Sequence, residues 1–291
     1  MFGVSSMTAT LKKVAVKAPG LSLLNADPKK WHYTKGFNPS LIEVVHNIFV
    51  KMLEDSGAEV YYMRGDDYNI ADSVFTYDAS LMTPSGAILM SPGKLLRRGE
   101  QNFHKNFYHK HTIPIIGSID GNATAEAGDT LWIDNKTLII GHGFRTNLDG
   151  IEQLRKILNR QDINVYSFDL PVYSGESSCL HLMSLISLVD TRTALVCLPL
   201  VPVGLIKLLQ KYDFTIIEAP FDEFKKSGTL SVNVLATKPG ECIMIDSAPK
   251  TLDLLRSTGV QVKVFHGDPL CIACEGGPTC LTRPLLRTNF Q

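Results

Sequence analysis

The segment CIACEGGPTCLTRPL, Cys271 to Leu285, holds three of the chain's six cysteines and offers two kinds of chemistry. Cys271-x-x-Cys274 with Cys280 has the spacing of thiolates around a tetrahedral zinc ion, with His266 the nearby candidate for a fourth ligand. Alternatively, Cys280 is a nucleophile presented by the Gly276-Gly277-Pro278 turn, where glycine lets the backbone approach closely and expose a side chain in an open cavity. A third reading makes each of these cysteines a small buried hydrophobe.

A cysteine nucleophile needs a proton-transfer partner, and the sequence has eight histidines. His104, His109 and His111 alternate with Lys105 and Lys110 and read as a solvated helix face. His32 and His46 fall near a loop and on a helix, and His142 sits between glycines. His181 differs, because it interrupts the extended apolar run SSCLHLMSLISLVD, where an ionisable ring must be paired or used. A core histidine satisfied by a neighbouring carbonyl fits the same position.

Three acidic positions are set among small or apolar residues. Asp78 lies in DSVFTYDASLM, which reads as a strand from Val74 to Thr83. Glu126 and Asp129 lie in ATAEAGDTLWID, just before another strand. An acid there often caps a turn, and Asp129 fits that role as well as a functional one. Carboxylates converging on one cavity would bind a cation, and the planar donors of a guanidinium match paired carboxylates best. Arg145, in GHGFRTN at a strand end, is either a surface charge or a clamp for a ligand carboxylate.

These residues must be positioned by elements that recur. Helical periodicity is found at about residues 39–54, 100–109, 148–159, 203–211 and 251–257, and each is followed by a β-rich run, at 58–63, 113–119, 164–169, 214–219 and 260–265. Further strands flank the turns Pro84-Ser85-Gly86, Asn135-Lys136 and Pro239-Gly240. The unit is close to ββαβ, repeated about five times at intervals of roughly 45 to 60 residues. A ring of five such modules would bring loops from each to one centre. No linker divides the 291 residues, so one domain over 1–291 is expected, and no glycine-rich phosphate turn points to a dinucleotide fold.

Composition narrows the class. Lys plus Arg and Asp plus Glu number 29 each, a balance that argues against a protein made to coat nucleic acid or an anionic membrane. The apolar stretch from Ala194 to Ile206 is broken by Pro199 and Pro202, so no membrane span is expected. The cysteine layout is poor for a disulfide scaffold and favours a reducing compartment. With no apolar leader at the start, a cytoplasmic location is the expectation.

The segments DSVFTYDASLMTPSGAILMSPGKLLRRGE, NATAEAGDTL, GFRTN, CLHLMS and EGGPTC, in this order, resemble the guanidino-group-modifying superfamily, whose fold is the pentein, a five-bladed α/β propeller. The nearest pattern is that of dimethylarginine dimethylaminohydrolase, with arginine deiminase and the amidinotransferases as relatives. The resemblance implies Cys280 as nucleophile and His181 as general acid and base. Asp78 and Glu126 would grip the guanidinium, Glu126 counting among the catalytic residues. Arg145 and Arg97 would hold the α-carboxylate end, and Asp72 would lie near the α-amino group. Glu275 would support the histidine, Ser184 matches a polar position just after it, and Asp129 matches a structural turn position.

The sequence departs from the family pattern at Tyr77, where the dimethylargininase pattern has an acid and the deiminase pattern an arginine. Ala127-Gly128 replaces a double glycine, and Leu281 follows the nucleophile where a second cysteine would complete an inhibitory zinc pair. The implied activity is hydrolysis of a guanidinium C–N bond through a covalent cysteine thiouronium, without metal or organic cofactor. Nω-methylated arginine, giving citrulline and an alkylamine, is the first reading, and arginine deiminase or amidinotransferase activity the nearest alternatives. The implied partner is a small arginine-like molecule, with a homodimer left open. A non-catalytic binding ring of the same fold and a zinc-stabilised interaction module are the alternatives from other classes.

Overall fold

The recurring unit of the sequence is a recurring unit of structure. A computed structural model describes residues 1–34, 36–65, 69–176 and 180–288. Its strands form five three-stranded sheets, ordered β15-β1-β2, β3-β4-β5, β6-β7-β8, β9-β10-β11 and β12-β13-β14. The central strand of each is β1 (Thr10–Val16), β4 (Gly86–Leu89), β7 (Thr137–His142), β10 (Thr193–Val196) or β13 (Glu241–Ile245). Each central strand pairs antiparallel with one neighbour and parallel with the other.

The parallel neighbours are β2 (Glu59–Tyr62), β5 (Ile115–Ser118), β8 (Asn164–Asp169), β11 (Thr215–Glu218) and β14 (Gln261–Phe265). Two parallel strands cannot be joined by a tight turn, so a helix crosses between them. These helices are α1 (Pro39–Asp55), α2 (Glu100–Lys110), α3 (Leu148–Asn159), α4 (Val203–Lys211) and α5 (Pro249–Ser257). Local chemistry sets their ends. Asn38 caps α1 by accepting from Ser40 N at 3.2 Å, with Pro39 in the first turn, and Asn147 caps α3 by accepting from Gly150 N at 2.9 Å.

The antiparallel neighbours are β3 (Ser80–Thr83), β6 (Thr130–Asp134), β9 (Ile186–Asp190), β12 (Leu235–Lys238) and β15 (Arg283–Thr288). In four modules this strand precedes its central strand through a hairpin. In the remaining one the partner is β15, so the last strand of the chain completes the sheet begun by β1. Strands of neighbouring modules touch at β9 with β12, β12 with β1, and β15 with β3. A bridge between Ser91 and Ala125 links the second and third modules, and the short helix Leu182–Leu185 packs on β6 to link the third and fourth. The contacts therefore run around a closed circuit of five modules.

Strand patterning fits this placement. The central strands are almost wholly buried, whereas the parallel partners at the outer edges carry mostly exposed and half-buried residues. Among the described residues no helix is long and apolar enough to cross a membrane.

Two expectations need correction. The strand expected from Val74 to Thr83 starts only at Ser80; Ala71–Val74 is a 3-10 turn, and the intervening residues leave the ladder to bring Asp78 to the centre. His104 is buried, its Nδ1 2.8 Å from Ser80 Oγ, because α2 lays this residue against β3 while Lys105 and His109 face outward. Within the apolar run that holds it, His181 has extended backbone and caps the helix Leu182–Leu185, where the chain turns before entering β9. The beginning of that run, Ser177 to Cys179, lies outside the described residues.

Candidate active site

Each module delivers a polar side chain from the segment just ahead of its antiparallel strand. Asp78 precedes β3, Glu126 precedes β6, His181 precedes β9, Asn233 precedes β12 and Cys280 precedes β15. Two more come from the segments after central strands, Arg97 beyond β4 and Arg145 beyond β7. The same step of the fold thus supplies one group per module to a common centre.

Cys280 stands apart from the other described cysteines. Cys197, Cys242, Cys271 and Cys274 are buried, and burial pushes each of these thiols above its ordinary range, Cys197 to about 11. Cys280 is half-exposed and lies on the walls of two cavities. Among the described residues, Cys271, Cys274 and Cys280 do not gather their sulfurs into a metal-sized group.

The turn that presents Cys280 has little room for larger residues. A Cβ on Gly276 would lie 2.2 Å from the Phe75 ring, and one on Gly277 would lie 2.5 Å from the Asn233 side chain. Asn233 is 4% exposed; its Oδ1 accepts from Thr279 N at 3.0 Å, and its Nδ2 donates to Cys280 Sγ at 3.2 Å. The amide thereby holds both the turn and the sulfur.

Glu126 is the hub of the charged groups. It has no exposed surface, and its Oε2 lies 2.7 Å from His181 Nε2 and 2.9 Å from an Arg145 nitrogen. Gly93 N and Lys94 N donate to Oε1 at 3.0 and 3.2 Å. Burial would raise this carboxyl, but Arg145, His181 and Arg97 outweigh it and hold Glu126 well below the usual carboxylate range.

Asp78 accepts from Gly128 N at 2.9 Å through Oδ1 and from Arg97 through Oδ2. Arg97 also donates from Nε and one terminal nitrogen to Glu100 at 2.9 and 2.8 Å, and to Phe75 O at 3.0 Å. Burial opposes its charge, but Glu100, Asp78 and Glu126 together raise this guanidinium well above its ordinary value. The acids implied as guanidinium ligands and the arginines implied as carboxylate ligands are therefore paired with each other here. Asp78, Glu126 and His181 also bring their ligand atoms within 4.8 Å of one another. With Arg97 and Arg145 already against the two carboxylates, the arrangement suits a planar cation that exchanges with them more than a resident metal ion.

The remaining expected residues surround this centre. Asp72 is buried, accepting from Tyr33 Oη at 2.7 Å and pairing with Lys94 Nζ at 2.6 Å. Glu275 is exposed and lines both cavities, in the left-handed region at φ 59°. Ser184 Oγ accepts from His181 N at 3.2 Å and lines one cavity. Asp129 lies behind the histidine, accepting from Leu182 N at 3.0 Å and Thr146 Oγ1 at 2.6 Å; burial raises it to about 6.

Sequence reasoning missed Lys94, Glu100 and Asn233. Each has a readable signal: Lys94 and Glu100 flank Arg97 in KLLRRGE, and Asn233 stands where the fifth module must contribute if all five do.

The smaller cavity, about 40 Å³, is walled by Asp72, Asp78, Lys94, Arg97 and Arg145 together with Cys280 and His181. The larger, about 190 Å³, meets it at His181, Glu275 and Cys280. The nucleophile and histidine candidates thus stand between a charged recess and a roomier chamber.

A family model described as arginine deiminase matches residues 68–201. A dimethylarginine dimethylaminohydrolase from Pseudomonas aeruginosa is 25% identical, over 81% of this chain and 85% of its own. The crystal structure of the Pseudomonas aeruginosa enzyme with citrulline superposes with a TM-score of 0.77, at 22% identity, over 96% of this chain and 100% of that one. An amidinotransferase of saxitoxin biosynthesis from Microseira wollei gives a TM-score of 0.80 at 17% identity, over 99% and 98% of the two chains. The five ββαβ modules of this chain are thus the pentein fold, and its sequence is similar to members of the guanidino-group-modifying superfamily.

Proposed function

We propose that the protein hydrolyses a guanidinium C–N bond of an arginine derivative, turning over Nω-methylated arginine ahead of arginine itself. The observation that carries this reading is the placement of half-exposed Cys280 and of His181, itself bonded to the buried Glu126, on the wall of a cavity that also holds Asp78, Arg97 and Arg145. The similarity to dimethylarginine dimethylaminohydrolase supports the choice of substrate.

An arginine-like ligand replaces internal ion pairs with its own. Its guanidinium lies between Asp78 and Glu126, and its carboxylate draws on Arg97, Arg145 and Lys94. Asp72 meets its ammonium. Exchanging one set of pairs for another avoids leaving a buried charge unpaired. The bound cation next to the sulfur favours thiolate, and Asn233 orients it.

Cys280 Sγ then adds to the guanidinium carbon. The C–N bond to the ω-nitrogen breaks, the departing nitrogen takes a proton from His181, and a thiouronium remains on Cys280. Water, deprotonated by His181, adds to the same carbon; the S–C bond breaks and the thiolate returns. The products are citrulline and an amine. The residues described complete this cycle with no step assigned to a metal or organic cofactor.

The test is incubation with arginine, Nω-methylarginine, asymmetric dimethylarginine and agmatine, with product and released amine identified by mass spectrometry. Citrulline with methylamine or dimethylamine supports the reading. Ammonia from arginine as the main product assigns the deiminase activity instead. Agmatine, which lacks the carboxylate, turned over as well as arginine would contradict the role given to Arg97 and Arg145.

A further inference from the structure

The larger chamber next to Cys280 is not needed for an arginine whose charged end occupies the smaller recess. Its volume of about 190 Å³ far exceeds what two methyl groups or ammonia fill. Beyond the shared walls it is lined by Tyr173, Leu180, Lys225, Thr229 and Leu230, which give it an apolar flank with one cation near the rim. Lys225 is exposed, with Nζ 5.1 Å from the centroid of the Phe221 ring. Leu230 is 4% exposed and packed in the core, so this flank is a fixed wall.

The geometry of the partition decides what enters. A guanidinium carbon in contact with Cys280 has its alkyl arm on one side and its ω-substituent on the other. The cations Arg97, Arg145 and Lys94 draw the amino-acid end into the small recess. The ω-substituent then points past His181, the proton donor for the departing nitrogen, into the chamber.

We propose that this chamber is a binding site for the ω-substituent, and that the protein acts on arginines whose ω-nitrogen carries an extended alkyl chain ending in an anion. The inference rests on the guanidine chemistry proposed above. The apolar flank takes the methylene chain and Lys225 pairs with the terminal anion. The bond broken is that between the guanidinium carbon and the substituted nitrogen. One water is consumed, and the products are citrulline and the corresponding amino acid or anionic amine.

The test compares Nω-methylarginine, Nω-butylarginine and Nω-(3-carboxypropyl)arginine, reading kcat/KM from citrulline formation. The expected order is carboxypropyl above butyl above methyl, with about tenfold between first and last, since methylenes are buried and an ion pair is added. Lys225→Gln should lower the carboxypropyl value about fivefold and leave butyl and methyl unchanged. Thr229→Trp, which fills the chamber, should lower both long substrates about tenfold and leave methyl within about twofold. Turnover of the methyl substrate without turnover of the longer ones overturns the inference and leaves the proposed reaction standing, as does a carboxypropyl preference that survives Lys225→Gln. Failure of all three substrates overturns the reaction itself.

Discussion

Glu126 and His181 share a hydrogen bond of 2.7 Å, between Oε2 and Nε2, although the two residues lie 55 positions apart and in different modules. An ionised carboxylate accepts, so the imidazole donates from Nε2 and its ring plane is fixed. The same carboxylate binds Arg145, which couples the orientation of the histidine to the charged wall of the substrate recess.

Glu126→Gln tests that coupling. The amide keeps the shape but removes the charge that faces His181, Arg145 and Arg97. Activity should fall about 100-fold or more, the scale of a lost acid–base arrangement. Stability should fall by about 3 kcal/mol, because buried cations lose a compensating anion. Urea titration and initial rates measure the two effects, and full activity in the variant would remove Glu126 from the mechanism.

Gly128 makes a sharper probe of geometry. A Cβ there would lie 2.5 Å from Asp78 Oδ1 and 2.7 Å from His181 Nδ1, so Gly128→Ala must displace one or both. Because Gly128 already has an ordinary backbone conformation, the variant should fold with a modest loss of stability while kcat drops by about tenfold or more. Circular dichroism and steady-state kinetics separate these outcomes; unchanged kcat would mean that neither side chain needs its present position.

Asn233 should control the nucleophile. Asn233→Ala removes the donor to Cys280 and the acceptor for Thr279 N, and a buried amide left unsatisfied costs about 1 to 3 kcal/mol. Asn233→Asp retains the acceptor but brings negative charge to the sulfur, which disfavours thiolate. The pH midpoint for alkylation of Cys280 by iodoacetamide should therefore move upward in Asn233→Asp relative to the parent protein. A midpoint that does not move would show that the amide serves the turn alone.

The five modules are legible in the sequence because each has its own local signals. Helical periodicity followed by a β-rich run repeats in every unit, turn residues mark three of the hairpins, and the helix limits at 148–159 and 203–211 match the structure. What escaped are positions where tertiary demands override local pattern. Val74 to Ala79 has the composition of a strand, but Asp78 has to leave the ladder to reach Gly128 N, and the chain turns instead. His104 sits in a polar stretch whose period hides one inward position, facing Ser80. The internal pairing of Arg97 with Asp78 and of Arg145 with Glu126 has no signature at all, since each pair is 19 residues apart and meets only when the hairpin of its own module folds between the two partners.

His104 gives the fold a pH dependence. Burial is the main cause that lowers it from 6.5 to about 3, and the positive charges of Arg283 and Arg97 add to this. The unfolded chain binds a proton near pH 6.5 that the native state refuses, so this contribution is intact above that value and is lost as pH falls toward 3. Each unit below 6.5 removes about 1.4 kcal/mol. Between pH 7.5 and 5, the loss of stability in urea should be about 2 kcal/mol smaller in His104→Asn than in the parent. Equal losses in the two proteins would assign the acid sensitivity elsewhere.

The central claim is that Cys280 becomes covalently bonded to the guanidinium carbon during turnover. Acid-quench the protein during steady-state reaction with Nω-methylarginine, digest it, and map any adduct by mass spectrometry. The account predicts a thiouronium adduct on the peptide containing Cys280, absent from Cys280→Ser, which keeps the fold and loses turnover. Citrulline formation that persists in Cys280→Ser would contradict it.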